Sequence, residues 1–197
     1  MSERKEQPAG AKMDLRIRRT RSAIREAFVA LMKEKDYAAI TVTDISEMAG
    51  INRKTFYAHY ETKEQLFSRL MEEMFSDLLG TLMYEKTAGQ DLAVDLTAFF
   101  EKIDGYREAI DALITPQTSA FAFSIADDVI RRGLKIARMP QALTAPIHHE
   151  IYVSRITNFF FTGLDWRQEQ PELTPAQAAR VYESMMRTCL ASVFGYQ

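Results

Sequence analysis

Arg53, Lys54, Thr55, Tyr57 and His59 crowd one short stretch of the chain, and Lys63 follows closely. Such side chains can read nucleic acid: Arg and Lys donate to guanine edges, and Thr meets a thymine methyl or a phosphate. Catalysis fits the sequence less well. The eight glycines are too dispersed for a phosphate-cradling loop, and no nucleophile elbow is present. Asp127 and Asp128, like His148 and His149, are sequence neighbours that diverge on a helix. Neither pair closes on one centre, so no enzyme, metal site or cofactor is expected.

The chain around these residues is patterned to hold them. From Asp14 to about Lys35, Ile17, Ile24, Ala27, Phe28 and Leu31 recur at helical spacing, with arginines between them. After a turn containing Asp36 and Tyr37, Thr41 is an N-cap with Asp44 three residues on, a variant of the capping box. Val42, Ile45 and Ala49 form the inward face of this second helix, and Gly50 ends it. Asn52 caps a third helix, Arg53 to His59, anchored by Ile51 and Phe56. Two short helices joined by a glycine-containing turn make a helix-turn-helix. Thr62-Lys63-Glu64-Gln65 is a full capping box opening a fourth helix, whose first-turn amides and Lys63 are placed to hold a phosphate.

Charge is distributed to suit that use. Residues 1–60 hold 12 Lys and Arg against 8 Asp and Glu, whereas 61–197 hold 13 against 19, an asymmetry hidden in the net −2. Lys12, Arg16, Arg18, Arg19, Arg21 and Arg25 lie together with only Asp14 among them. Clustered cations suit a polyanion, because pairing with phosphates releases condensed counterions, although an ordinary solvated helix face has the same composition. With 47% apolar residues the chain can bury a real core. Its longest apolar stretches, such as 158–164, fall far short of the roughly 20 residues needed to span a bilayer. Met1 to Ala11 lacks the apolar centre of a signal peptide, and Cys189 has no partner for an internal disulfide. A cytoplasmic protein with no membrane association is expected.

Ile40 to Tyr60, continued by Lys63-Glu64-Gln65-Leu66, resembles the TetR family of bacterial regulators nearly position by position, within a likeness extending from Arg21 to about Leu70. The resemblance implies an all-α fold: three N-terminal helices that bind DNA, and a C-terminal helical-bundle domain that dimerises and holds a ligand. It further implies that Arg53, Lys54, Thr55 and Tyr57 touch bases or nearby phosphates, while Thr41, Thr43, His59 and Lys63 clamp the backbone. Two positions depart from the family pattern. Tyr60 stands where Phe is commoner, which preserves an aromatic anchor, and Lys54 stands where many members have a small residue. The added cation leaves the operator sequence unpredictable.

Beyond Thr87-Ala-Gly-Gln90, helices are expected over 91–104, 106–114, 119–138, 146–168 and 175–194, with Gly105, Pro116, Pro140, Pro146 and Pro171 as breaks. Tyr152, Ile156, Phe159, Gly163 and Trp166 step by 4, 3, 4 and 3, a seam suited to another helix. Phe160, Phe161 and Leu164 lie off it, so this helix needs cover on two sides. The last helix opens with the capping box Thr174-Pro175-Ala176-Gln177 and continues through Val181 and Met185. Two such helices from each of two chains would build an intersubunit four-helix bundle. Phe99, Phe100, Tyr106, Phe121, Phe123, Tyr152 and Met185, with His148, Arg155 or Asn158 as polar contacts, could line a ligand cavity or be plain core.

The layout expected is a tail over 1–13, a DNA-binding domain over 14–61, a linking helix over 62–83 and a ligand-binding and dimerisation domain over 84–197. The function expected is a homodimeric regulator on double-stranded DNA that represses transcription and answers to a small-molecule effector. Control by a partner protein, or action at DNA without a small ligand, is the alternative.

Overall fold

The computed structural model describes residues 9–82, 96–136 and 146–194. These form α1 (Ala9–Glu34), a 3-10 turn (Tyr37–Ala39), α2 (Val42–Met48), α3 (Arg53–Tyr57), α4 (Lys63–Leu82), α5 (Leu96–Leu113), α6 (Ser119–Ile136), α7 (Pro146–Glu169) and α8 (Pro175–Phe194). The fold is all-α, and no strand occurs among the described residues. The chain divides into two compact units, 1–70 and 71–197, with α4 running through the boundary.

In the first unit, α1 buries Ile24, Ala27, Phe28, Leu31 and Met32, the face its apolar spacing marks out. Ile40, Ile45 and Phe56 are buried in the same unit, with Leu66, Phe67 and Leu70 from α4. Phe28, Tyr37 and Phe67 meet edge to face with centroids 5.3–6.4 Å apart. Removing a fully buried ring such as Phe56 would cost roughly 3–5 kcal/mol. Helix α1 starts at Ala9 rather than Asp14, because the small and unbranched residues before Asp14 continue a helix even though the apolar stripe begins later.

The caps at Thr41 and Gly50 take the form their residues dictate. Thr41 and Asp44 exchange a reciprocal pair, Asp44 N to Thr41 Oγ1 at 3.1 Å and Thr41 N to Asp44 Oδ2 at 2.8 Å. Gly50 has φ +64°, and the Gly50 and Ile51 amides donate back to the Glu47 and Ser46 carbonyls at 3.1 and 3.0 Å, a Schellman ending that needs glycine. The cap at Thr62 differs from expectation. Gln65 N donates to Thr62 Oγ1 at 3.1 Å, but Gln65 Oε1 accepts from the Glu61 amide at 2.7 Å instead of that of Thr62.

In the second unit, α5 packs on α7 and α8, and α6 on α7. Its core is a run of rings in mutual contact: Phe75 on Phe160, Phe160 on Phe99, Phe99 on Phe100, and Phe100 on Trp166 and Tyr182, all with centroids 5.3–5.8 Å apart. Salt bridges tie the helices together. Arg167, 3% exposed, forms a two-pronged pair with Asp104 at 2.8 and 2.7 Å, joining α7 to α5. Arg131 does the same with Glu150 at 2.7 and 2.8 Å, joining α6 to α7. Lys102 and Tyr106 both donate to Asp77, joining α5 to α4.

Gly105 does not break α5, which runs unbroken from Leu96 to Leu113; an interior glycine costs a helix about 1 kcal/mol, less than its packed faces return. The capping box of α8 forms as expected, with Thr174 N to Gln177 Oε1 at 2.9 Å and Gln177 N to Thr174 Oγ1 at 3.3 Å. The loop at 87–90 and the expected ends of the neighbouring helices, at Tyr84 and Asp91, lie outside the described residues.

Candidate nucleic-acid interface

Helix α3 is held from below and bare above. Phe56 is fully buried, packing on Tyr60 at 5.8 Å, so the register of the short helix is set by its inward ring. Asn52 Oδ1 accepts from Thr55 N at 2.8 Å and from Thr55 Oγ1 at 3.0 Å, which ties the first turn. Arg53, Lys54 and Tyr57 then project outward, and Tyr57 is 48% exposed. Neither the Arg53 nor the Lys54 side chain has a hydrogen bond or ion pair among the described residues. Their donors are available to an incoming acceptor. Thr55, half-buried, offers its methyl and a hydroxyl oxygen, because its proton goes to Asn52.

The residues expected to clamp a backbone are arranged differently. Thr43 is exposed at the start of α2. Thr41 gives its hydroxyl proton to Asp44 Oδ2 at 2.6 Å, and Asp44 also accepts from Lys35 Nζ at 2.9 Å. These donors, the Thr41 hydroxyl foremost, hold the Asp44 carboxyl well below the usual carboxylate range. Thr41 is therefore engaged by its own cap. His59, half-buried, has its pKa lowered from 6.5 first by burial and then by the Arg21 charge, so it is neutral near pH 7.

Lys63 is the largest departure. Its ammonium is folded back, donating to the Tyr37 carbonyl at 2.7 Å and the Ile40 carbonyl at 2.8 Å, 4.4 Å from the centre of the Tyr37 ring. Beside it the Tyr37 hydroxyl donates to Glu64 Oε1 at 3.3 Å. Burial, reinforced by the Glu64 charge, raises the Tyr37 pKa. The Glu64 carboxylate in turn accepts from its own backbone amide, which lowers its pKa. The first turn of α4 is thus partly satisfied from within. Sequence reasoning missed Lys35, Tyr37, Glu64 and Arg21 as members of this site. Tyr37 and Glu64 are 27 residues apart, and no local pattern announces such a pair.

The described candidate ligand residues lie in different surroundings. Phe99 is fully buried among other rings, Tyr106 is taken up by Asp77 at 3.1 Å, and Phe121, Phe123 and Met185 are 39%, 38% and 43% exposed. Phe123 stacks on Phe161 at 5.3 Å. The expected helix seam also turns inward. A Cβ on Gly163 would lie 3.2 Å from the Phe99 ring and 3.5 Å from the Tyr182 hydroxyl of the same chain. Phe159 and Trp166 likewise pack on Tyr182, at 5.0 and 5.5 Å. Ile156 is half-buried, while Val181, 42% exposed, and Met185 stand one turn apart on the outer side of α8. The side chains of His148 and Tyr152 lie outside the described residues. No helix among the described residues is long and apolar enough to cross a membrane.

Known proteins agree with this geometry. The family model for bacterial regulatory proteins, tetR family, matches residues 24–70, which take in α2, α3 and the start of α4. The uncharacterised HTH-type transcriptional regulator YxbF of Bacillus subtilis is 39% identical over 36% of this chain and 19% of its own length. The dhaKLM operon transcriptional activator DhaS of Lactococcus lactis is 38% identical over 31% of this chain and 33% of its own. The chain therefore spans about a fifth to a third of these relatives. A solved TetR transcriptional regulator from Streptococcus agalactiae is 26% identical, covers 89% of this chain and 98% of that one, and superposes with a TM-score of 0.54. The helix-turn-helix segment is thus similar in sequence to bacterial regulatory proteins of the tetR family, and the chain shares its fold with nearly all of a solved TetR regulator.

Proposed function

We propose that the protein is a sequence-specific transcriptional regulator that binds double-stranded DNA as a homodimer, represses the promoter it covers, and is released by a small-molecule effector. One observation carries the DNA-binding reading: Arg53 and Lys54 stand outward and unpaired on a capped helix whose other face is locked by Phe56. Arg53, Lys54, Thr55 and Tyr57 would meet bases or adjacent phosphates, with Thr43 and His59 on the backbone. Exposed Val181 and Met185 on α8 support the dimer, since two apolar side chains one turn apart invite a second helix. A dimer would set two copies of α3 into successive major grooves roughly 34 Å apart on a pseudo-palindromic site. Helix α4 would act as the linking element, and an effector would act by its differential affinity for two arrangements of the recognition helices. Such a regulator would work in the cytoplasm.

Repression is the simpler sign because covering a promoter needs no further contact, although the relative DhaS is named an activator. Control by a partner protein is a second reading, favoured by the ring-on-ring filling of the second unit's core.

Selection from a random double-stranded DNA pool at a stated near-physiological salt concentration tests the reading. Enrichment of an inverted repeat with half-sites one helical turn apart supports a sequence-specific dimer. Weak, salt-sensitive retention without a motif refutes sequence-specific recognition. With the operator in hand, a promoter fusion reads the sign.

A further inference from the structure

We propose that Lys63 serves DNA binding as a positioning residue, an internal staple between α4 and the turn before α2, and not as a counter-ion to a phosphate. This rests on the DNA-binding reading above and alters the division of labour within it.

An ammonium has three N–H donors. Those of Lys63 have two backbone carbonyls at 2.7 and 2.8 Å and the face of the Tyr37 ring at 4.4 Å. The Ile40 carbonyl leaves the 3-10 turn without a backbone partner among the described residues, whereas that of Tyr37 already accepts the Ile40 amide at a long 3.3 Å, and a buried orphan carbonyl is costly. Lys63 satisfies the Ile40 carbonyl and gives the Tyr37 carbonyl a second, shorter bond. Glu64 holds the far end of the same tyrosine through its hydroxyl at 3.3 Å, so consecutive residues of α4 grip Tyr37 at its backbone, its ring and its tip. Ile40 immediately precedes Thr41, the cap of α2, and α2 leads through Gly50 into α3. The staple therefore fixes where the helix-turn-helix begins relative to α4. An ammonium bound in this way would have to give up these acceptors before it could pair with a phosphate.

Salt dependence separates the two roles, because the slope of log affinity against log salt counts the phosphates neutralised, at roughly 0.9 per charge. Wild type, Lys63→Met, Lys63→Gln and Arg53→Ala are titrated with the selected operator at several salt concentrations, and each is melted without DNA. A staple predicts that Lys63→Met lowers the melting temperature by several degrees and affinity on the order of tenfold, with the salt slope unchanged. Lys63→Gln, which keeps N–H donors without the charge, then recovers part of both. Arg53→Ala shows the opposite signature, a loss of operator affinity at unchanged melting temperature. Should Lys63→Met be unfolded at assay temperature, the staple is supported and Lys63→Gln supplies the slope. A slope shallower by about 0.9 in Lys63→Met and in Lys63→Gln, with melting temperatures of wild type, overturns the proposal. A wild type that binds no DNA brings down the DNA-binding reading itself, and the melting temperatures then report the staple separately.

Discussion

The two units use the same charged residues to opposite ends. In the second, Arg167, Arg131 and Lys102 each reach across to a carboxylate on another helix, and Arg167 is almost wholly buried. In the first, Arg53 and Lys54 stand on the surface of α3 with no side-chain partner among the described residues, although the net charge of the chain leaves carboxylates to spare. A cation already paired with a carboxylate between helices has little left to offer a ligand, whereas one held out by a buried ring is poised for an external anion. Lys63 shows that sequence position within the binding module does not decide which kind a residue is.

The contrast can be broken most forcefully in the second unit. Asp104→Ala strips the partner from a buried guanidinium and should destabilise the protein by about 3 kcal/mol, read as a lower midpoint in urea at unchanged slope. DNA affinity measured well below that midpoint should not change. Arg53→Ala should do the reverse, costing about 1–3 kcal/mol of operator binding while leaving the urea midpoint within error. If both substitutions moved both quantities alike, the division between architectural and functional cations would be wrong.

Gly163→Ala sharpens the same comparison. Its methyl would sit 3.2 Å from the Phe99 ring, tight enough to cost about 1 kcal/mol, visible as a melting temperature a few degrees lower with the subunit stoichiometry unchanged. A change of stoichiometry at constant stability would put Gly163 back at an intersubunit seam.

The smallest expected effect is on pH dependence. His59 is held below its ordinary pKa of 6.5 by burial and the Arg21 charge, so the unfolded imidazole binds a proton first as pH falls. The stability that neutral His59 contributes is present above 6.5 and is lost as pH drops below it toward the folded value. His59→Gln should flatten that part of the stability curve, and an unchanged slope would show that His59 carries no such linkage.

What could be read in advance was whatever depends on a few consecutive residues. The Thr41 and Asn52 caps, the Gly50 ending, the capping box before α8 and the buried face of α1 formed where spacing and residue type placed them. Their energetics are contained in one or two helical turns. Helix α7 shows the boundary of that logic: it is apolar around much of its circumference, so its period identifies a helix but not which neighbour each face meets. The 4-3-4-3 spacing marks a seam for another helix without naming it, and Phe159, Gly163 and Trp166 meet Tyr182 and Phe99 of their own chain. The aromatic residues read as a cavity lining or plain core are divided between buried positions such as Phe99 and exposed ones such as Phe121, a division that helical period does not encode.

By itself the sequence determined the all-α class, the helix-turn-helix and the identity of the residues presented by α3, because capping, helical period and a buried Phe56 act over short distances. Tertiary structure alone decided which polar groups were already spent. Lys63 on the Tyr37 and Ile40 carbonyls, Arg167 on Asp104 and Gly163 against Phe99 join positions dozens of residues apart, and such pairs become neighbours only once whole helices have packed.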